Sequence, residues 1–269
     1  MGFKFCSLAS GSSGNCQYVG SRDTKLLIDA GLTGKYITNA LKNIDIEAEK
    51  IDGLLITHEH SDHIKGVGVL MRKFDIPLYV NEKTWEAMKD KIGSVKGKDI
   101  RLFSDCESFA IGDIKVNPYS ISHDACNPMG YSFVHNNSKI SITTDLGCIT
   151  DEIINEIKDS DLLVIESNHD VEMVKFGRYP WFLKKRILGD FGHLSNEAAG
   201  NIITEVVKNG KVKYALLAHL SKENNFPELA YETVKNIIIE NEIKVGVDVN
   251  LDLTYRNRTG RVYNIQKDF

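Results

Sequence analysis

The chain has 269 residues, of which 42% are hydrophobic and 26% are charged, and its formal net charge is −4. These values are ordinary for a globular protein, and they exclude a chain-wide attraction to nucleic acid or membrane, so a polyanionic partner needs a local basic patch. Five cysteines without a CxxC pair predict a reducing compartment, and the absence of a run of about 18 apolar residues excludes a membrane span, so we predict a cytoplasmic protein.

Short apolar or alternating runs predict strands, and apolar residues at helical spacing predict helices. Up to residue 92, the predicted strands are 3–8, 16–20, 24–31, 51–57 and 77–80, and the predicted helices are 34–44, 64–74 and 83–92. The middle of the chain predicts strands at 100–103, 108–112, 114–122, 130–135 and 139–145. From residue 150 onward, predicted helices at 150–158, 196–209 and 228–240 alternate with predicted strands at 161–167 and 212–221.

The predicted strands come in two groups, each followed by strand–helix units, and neither a flexible linker nor a fixed repeat interrupts the sequence. This pattern predicts an α/β protein, with α+β character, in which two mixed β-sheets pack face to face and helices cover their outer faces. We therefore predict a single four-layer domain over residues 1–269. The sequence does not indicate an oligomeric state.

Four side chains of metal-ligand type are crowded into the stretch "THEHSDH", namely His58, His60, Asp62 and His63. Residues i and i+2 of an extended chain point the same way, so His58 and His60 can bind one ion together. Asp62 and His63 follow after a turn and can face a second ion. The stretch does not match the helical HExxH motif, because Asp62 stands where that motif needs histidine, and we expect a loop here. A merely solvated polar loop is the alternative.

The stretch "THEHSDH" resembles the HxHxDH signature of the metallo-β-lactamase fold superfamily. Four more segments resemble its later motifs in the right order: "LLIDAG" with Asp29, "ISHDACNPMGY" with His123, "SITTDLG" with Asp145 and "LLAHLS" with His219. The segments "SLASGSSGNC" and "GHLSNEAA" resemble the WalJ/YycJ-like exonuclease branch, which is similar to ribonuclease Z in its late histidine motif. The resemblance covers the whole chain and implies an αββα sandwich with metals in a cleft between the sheets.

The resemblance also implies a ligand set for two divalent transition metal ions. On this resemblance, one ion is held by His58, His60 and His123, and the other by Asp62, His63 and His219. It also implies that Asp145 bridges the two ions and that Asp29 hydrogen-bonds a ligand histidine. Histidine and aspartate ligands without cysteine suit zinc, manganese or iron. Taken alone, His123 could equally be an ordinary buried histidine.

The catalytic residues that we predict are Asp62, His193 and Glu166. His193, in "GHLSN", is by resemblance the counterpart of a ribonuclease Z histidine near the scissile phosphate, and Glu166 can orient it and keep it charged. The alternative is that His193 only caps the helix that begins at "LSNEAA". Ser12, Ser13 and Asn15 in "SGSSGN" could form a phosphate-binding nest, although a hairpin turn explains this segment equally well.

A basic segment spans residues 171–190, where five lysine or arginine and two acidic residues leave a net charge of +3. We predict that Arg178, Lys184, Lys185 and Arg186 bind substrate. Tyr179, Trp181 and Phe182 are interleaved with these cations, a combination that suits single-stranded nucleic acid. An amphipathic helix with a solvated basic face and its aromatic residues in the core is the alternative.

Together these features predict a dinuclear metal-dependent phosphodiesterase that hydrolyses DNA through a metal-activated water. By resemblance it is a 5′–3′ exodeoxyribonuclease that acts on single-stranded DNA or DNA ends. One alternative is a glyoxalase-II-like thioester or lactone hydrolase, which needs the same ligands. Another is a regulatory protein that has the fold but no catalytic activity.

Overall fold

The computed structural model describes residues 2–265 of the chain. Its strands are β1 (Phe3–Ala9), β2 (Cys16–Gly20), β3 (Lys25–Ile28), β4 (Gly53–Leu55), β5 (Leu78–Asn81), β6 (Ile100–Phe103), β7 (Phe109–Ile111), β8 (Ile114–Ser120), β9 (Met129–His135), β10 (Ser138–Thr143), β11 (Leu162–Glu166), β12 (Tyr214–Ala218), β13 (Asn250–Leu253) and β14 (Tyr263–Ile265). Its α-helices are α1 (Gly34–Lys42), α2 (Ser61–Ile64), α3 (Val67–Phe74), α4 (Glu82–Met88), α5 (Asp151–Ile157), α6 (Val171–Phe176), α7 (Trp181–Ile187), α8 (Asn196–Asn209) and α9 (Pro227–Glu240).

The described strands form two mixed sheets of seven strands each, which confirms the predicted fold class of two mixed sheets with helices. The described chain divides into two compact units. Unit 1 comprises residues 2–120, 125–138 and 255–265, and unit 2 comprises residues 121–124 and 139–254. The single domain over residues 1–269 stays a prediction.

Unit 1 contains a complete seven-stranded sheet in the order β14-β1-β2-β3-β4-β5-β6. Strands β14, β1, β2 and β3 pair antiparallel, whereas β3, β4, β5 and β6 pair parallel. The parallel strands therefore end at one edge of the sheet, and the backbone N–H of Asp29 bonds the carbonyl of Leu55 there at 2.8 Å. The apolar faces of α1 and α3 cover this sheet through buried residues such as Ile37, Leu41 and Leu70.

Unit 2 contains four neighbouring parallel strands in the order β13-β12-β11-β10. All five residues of β11 are buried, as expected of a parallel strand that is covered on both faces. Helices α8 and α9 approach closely at Gly200, where a Cβ atom would lie 2.9 Å from the Ile237 side chain. The carboxyl ends of β10, β11 and β12 lead into the segments with Asp145, Glu166 and His219, so parallel pairing brings these segments to one edge.

The predicted helix 64–74 was wrong in its N-terminal part. The structure has two helices instead, α2 and α3, and Gly66 lies between them. The backbone N–H of Gly66 bonds the carbonyl of Ala30 at 2.7 Å, and a Cβ atom at Gly66 would collide with the carbonyl oxygen of Leu32. The loop expected at Asp62 and His63 was also wrong, because both residues lie in α2.

The longest helices among residues 2–265 are α8 and α9, with 14 residues each. At about 1.5 Å per residue they are shorter than the apolar thickness of a bilayer, about 30 Å. None of the helices in this part of the chain is long and apolar enough to cross a membrane.

Candidate metal centre

Three predicted site residues follow strands in the left-handed backbone conformation. Asp29 comes after β3 with φ 61°, Asp145 after β10 with φ 60°, and His219 after β12 with φ 57°. This conformation costs a residue that has a Cβ atom about 1–2 kcal/mol, although aspartate tolerates it better than most residues. Backbone strain of this kind is concentrated at functional sites, where surrounding contacts hold it in place.

His58 and His60 lie after β4, in the extended segment that precedes α2. The Nε2 atom of His58 lies 3.0 Å from the Nδ1 atom of His60, so the two rings direct nitrogens to one point. This is the geometry expected of histidines two residues apart in an extended chain. Two converging imidazole nitrogens fit a zinc-type or related transition metal ion.

Asp62 and His63 lie side by side in the short helix α2, where the Asp62 Oδ2 atom is 3.7 Å from the His63 Nε2 atom. His63 is fully buried, whereas Asp62 is partly exposed. The amide of Asn15 donates a hydrogen bond to Nε2 of His63 at 3.0 Å. Asn15 is buried and lies against this predicted ligand, and its role in substrate binding stays a prediction.

A single buried carboxylate, that of Asp29, sets the tautomers of two predicted ligands. His63 Nδ1 donates to Asp29 Oδ2 at 2.7 Å, which places the lone pair of His63 on Nε2. The hydroxyl of Thr57 donates to the same oxygen at 2.9 Å and can accept from His58 Nδ1 at 3.0 Å. A carboxylate behind a metal-binding histidine fixes the ring and increases its basicity.

Asp29→Asn is therefore expected to weaken metal binding roughly 10- to 100-fold, since the amide keeps the side-chain shape but loses the charge. Asparagine also tolerates the left-handed backbone of Asp29. The measurement is the dissociation constant for zinc or manganese by competition with a chelator. Added metal should restore activity in the same variant.

Asp45→Asn is the matched control for this measurement. Asp45 is an exposed aspartate with the same backbone conformation, φ 59°, and it lies in the turn after α1. Its replacement should leave the dissociation constant unchanged. Equal metal affinity in Asp29→Asn and Asp45→Asn would contradict the role of Asp29.

Asp145, Glu166, His193 and His219 form a second cluster, within unit 2, with one ligand-type atom from each all lying within 4.8 Å of one another. The Oε1 atom of Glu166 accepts hydrogen bonds from Nδ1 of His193 and Nδ1 of His219, each at 2.8 Å. Both imidazoles are thereby held with their lone pairs on Nε2 or with a full positive charge. Clustered histidine and aspartate side chains of this kind are able to bind metal ions.

The backbone also holds Glu166 in place. Its Oε2 atom accepts hydrogen bonds from the backbone N–H groups of Leu146 at 2.9 Å and Leu194 at 3.2 Å. Burial alone would raise the pKa of Glu166, but the imidazoles of His193 and His219 hold that pKa well below its ordinary value. Glu166 is therefore a fully buried carboxylate with a hydrogen-bond partner on each oxygen.

His193 is charged more easily than an ordinary buried histidine. Burial lowers its pKa, but the charge of Glu166, its hydrogen bond and the charge of Asp145 together raise the pKa of His193 above its ordinary value. The alternative of a helix-capping role does not fit the geometry, because the hydroxyl of Ser195 caps α8 by accepting from the N–H of Ala198 at 3.1 Å. The predicted pairing of Glu166 with His193 is present in the structure.

His123 lies near Asp145, with 4.0 Å between His123 Nε2 and Asp145 Oδ1. Its Nδ1 atom donates to the carbonyl of Gly192 at 3.2 Å, which places the lone pair on Nε2. Burial lowers the pKa of His123 below its ordinary value, so the ring is neutral near pH 7. A neutral imidazole with an oriented Nε2 is the form that binds metal.

The residues predicted to bind substrate differ in their surroundings. Ser12 and Ser13 are exposed in the loop between β1 and β2, which is the hairpin connection that the sequence also allowed. Arg178, Lys185 and Arg186 are exposed, and Lys184 is half-buried. Arg186 forms an ion pair with Asp124, and within residues 2–265 it is the one cation of this group that pairs with a carboxylate.

Sequence analysis did not identify two contributors to these clusters. Thr57 links His58 to Asp29, and the signal for it is a hydroxyl directly before the first histidine of the motif. Asn168 donates to the backbone carbonyl of His219 at 2.8 Å and fixes the segment after β12. No local pattern indicates this second contact, because the two residues come from different strand ends.

Known proteins similar to this chain cover nearly all of it. Residues 24–220 match the family described as the Beta-lactamase superfamily domain. The exodeoxyribonuclease YycJ of Bacillus anthracis is 47% identical over 246 residues, which cover 91% of this chain and 93% of YycJ. The exodeoxyribonuclease WalJ of Streptococcus pneumoniae serotype 2 is 45% identical over 250 residues, which cover 92% of this chain and 93% of WalJ. The solved structure of YhfI, a metallo-β-lactamase fold protein from Bacillus subtilis, matches with a TM-score of 0.70 at 16% identity and covers 96% of this chain and 99% of that chain.

Proposed function

Because the chain belongs to the β-lactamase superfamily and, within it, to the family of the YycJ and WalJ exodeoxyribonucleases, we propose that it degrades DNA in the 5′–3′ direction as a dinuclear phosphodiesterase. The protein is a metal-dependent hydrolase. The observation that carries the nuclease proposal is the similarity to two exodeoxyribonucleases over nine-tenths of the chain. The composition supports a cytoplasmic location.

The proposed cofactors are two divalent ions of zinc, manganese or iron. We assign the ligands as the resemblance implies: His58, His60 and His123 for one ion, Asp62, His63 and His219 for the other, and Asp145 for both. The donor chemistry supports this assignment, since imidazole and carboxylate ligands without thiolate suit these metals. When bound, such ions activate a water as the nucleophile and neutralise the charge of the scissile phosphate.

The chain itself supplies the proton for the leaving group in this proposal. Glu166 accepts from Nδ1 of His193 and favours the charged ring, so the proton to be donated is at Nε2. After donation, the neutral ring keeps its hydrogen bond to Glu166 and is oriented for reprotonation. For Asp62 we propose that the partly exposed carboxylate accepts a hydrogen bond from the attacking water.

The direct test compares two substrates with the same purified protein in manganese and in zinc. One is an oligonucleotide labelled at either end, in single-stranded and duplex form, and the other is a thioester such as S-lactoylglutathione. We expect stepwise release of nucleotides from the 5′ end and no thioester hydrolysis. Thioester hydrolysis without DNA degradation would overturn the nuclease proposal, and the absence of both activities would favour a regulatory protein.

The metal content of the parent protein tests the dinuclear part of the proposal. Protein purified without chelator should contain about two transition metal ions per chain, because seven ligand residues are assigned. Elemental analysis against an amino-acid-based protein concentration gives the ratio. A fully active preparation that saturates at one ion per chain would rule out the dinuclear assignment.

A further inference from the structure

A group of aromatic side chains is exposed on unit 2, in the segment of residues 171–191, which we call the aromatic segment. Phe176 is 84% exposed, Trp181 is 77% exposed, Phe182 is 74% exposed and Phe191 is 65% exposed. The seven-residue helix α7 has no buried residue at all. The alternative of a helix with its aromatic residues in the core is therefore wrong for Trp181 and Phe182. Large apolar groups that are exposed together in one short segment are typical of a binding surface.

The cations of the aromatic segment are interleaved with these rings along the sequence, and two of them are paired with carboxylates, Lys175 with Glu172 and Arg186 with Asp124. Arg178 and Lys185 are exposed, and neither has a carboxylate partner in the described part of the chain. Lys184 donates to the carbonyl of Lys175 at 2.7 Å, and no carboxylate among residues 2–265 pairs with it. Exposed rings interleaved with three cations that have no carboxylate partner among the described residues suit a polyanion with flat bases better than a continuous apolar partner surface.

The aromatic segment joins directly to the second cluster. The backbone N–H of His193 bonds the carbonyl of Ile187, the last residue of α7, at 3.1 Å. The carbonyl of Gly192 accepts from His123, and a Cβ atom at Gly192 would collide with the carbonyl oxygens of α7. Phe191 is thus two residues from His193 in a tightly folded turn.

A pocket of about 430 Å³ lies at the other end of the aromatic segment. Phe176, Arg178 and Tyr179 line it, together with Glu223 and Asn224. Its volume is in the lower range of pockets that hold small ligands. The aromatic ring, the Arg178 guanidinium and the Asn224 amide offer stacking and hydrogen bonds there, whereas the Glu223 carboxylate disfavours a phosphate in this pocket.

We propose that Phe176, Trp181, Phe182 and Phe191 form a stacking platform that binds the bases of single-stranded DNA and leads the strand to His193. This inference rests on the proposed nuclease function and adds the surface that selects single strands. Bases inside a duplex are already stacked on each other and cannot stack on protein rings. The platform therefore makes the enzyme prefer single-stranded ends over blunt duplex ends.

Trp181 can report the contact directly, since the chain has two tryptophans, Trp85 and Trp181. In a Trp85→Phe variant all indole fluorescence comes from Trp181. Titration of the metal-loaded variant with phosphorothioate oligothymidylate, which resists cleavage, should quench this fluorescence. An abasic oligomer of the same length keeps the charge but lacks bases, and it should not quench. Equal quenching by both oligomers, or none by either, would contradict base stacking.

Paired variants then separate stacking from simple hydrophobic contact. Trp181→Leu/Phe182→Leu removes both rings and keeps apolar bulk, whereas Trp181→Phe/Phe182→Tyr keeps both rings. We expect the leucine pair to raise KM for single-stranded DNA about tenfold for each ring lost, while the aromatic pair stays near the parent. The ratio of kcat/KM for single-stranded over duplex DNA should fall in the leucine pair. Val247→Ala, at another exposed apolar residue, is the control and should change neither value.

The remaining outcomes distinguish failure of the stacking platform from failure of the nuclease proposal. If the parent degrades single-stranded DNA and the leucine pair has an unchanged KM, the platform is wrong although the nuclease proposal stands. Another outcome is that both variant pairs have the same KM for single-stranded DNA, while the parent sediments as a dimer and the leucine pair as a monomer. The rings then form an interface between copies of this chain. A parent that binds and cleaves no oligonucleotide overturns both proposals, whatever its thioester activity.

Discussion

Asp145→Asn is expected to lose metal and activity together while its fold is retained. Asp145 is buried, its Oδ1 atom lies 3.3 Å from His219 Nδ1, and the proposal assigns it to both ions. Asparagine has the same shape and tolerates φ 60°, so the change removes mainly the negative charge. Metal ions contribute several kcal/mol to such a transition state, which corresponds to a loss of about 10³-fold or more in kcat/KM.

The experiment combines elemental analysis, kinetics on single-stranded DNA and thermal unfolding of the chelator-treated protein. Asp45→Asn again serves as the control with the same substitution and backbone conformation, and it should match the parent in all three measurements. The unfolding temperature of metal-free Asp145→Asn should be close to that of the metal-free parent. Normal turnover with two ions bound would show that Asp145 does not have the bridging role.

His193→Ala is expected to keep both metal ions and to lower kcat on DNA by roughly 10²–10⁴-fold, the usual contribution of a general acid. His193 accounts for one of the two hydrogen bonds to Glu166 Oε1, and His219 keeps the other. The loss should shrink on a bis-nitrophenyl phosphodiester, since nitrophenolate leaves without a proton. The measurement is the ratio of kcat values of parent and variant on the two substrates, with metal content determined in parallel.

His135→Ala provides the control, because His135 pairs with Asp113 in unit 1 and has no proposed role. It should have parental kcat on both substrates. If His193→Ala loses the same factor on DNA and on the nitrophenyl substrate, His193 binds phosphate and does not donate a proton. A variant that loses metal would indicate that His193 acts mainly through His219 and Glu166.

The sequence predicts the fold class well, because hydrophobic runs and helical spacing are local signals. Strands β1 and β2 occur within one residue of their predicted limits, and the family resemblance is confirmed. The break at Gly66 was missed, since it depends on the carbonyl groups of Ala30 and Leu32, which approach from another loop. Local spacing carries no information about such a tertiary contact.

For the candidate site, ligand-type residues were predictable but their supporting contacts were not. The spacing of His58 and His60 already implies that their rings converge, and the structure has His58 Nε2 and His60 Nδ1 3.0 Å apart. Glu166 was expected beside His193, but its equal hydrogen bond to His219 joins two strand ends that no sequence motif connects. Likewise, the sequence could not decide whether Trp181 is in the core or exposed, because a basic helix with apolar residues has the same pattern in both cases.

The left-handed backbone at Asp29, Asp145 and His219 also affects how this fold can change during evolution. Asparagine and glycine adopt that conformation with less strain than most residues, so they are the replacements that the backbone accepts most readily. Each of them removes a charge or a metal ligand and still fits the chain. If these residues have the proposed roles, mutational drift at the three positions leads toward a folded protein without catalytic activity, and selection for activity, not selection for stability, retains the aspartates and the histidine.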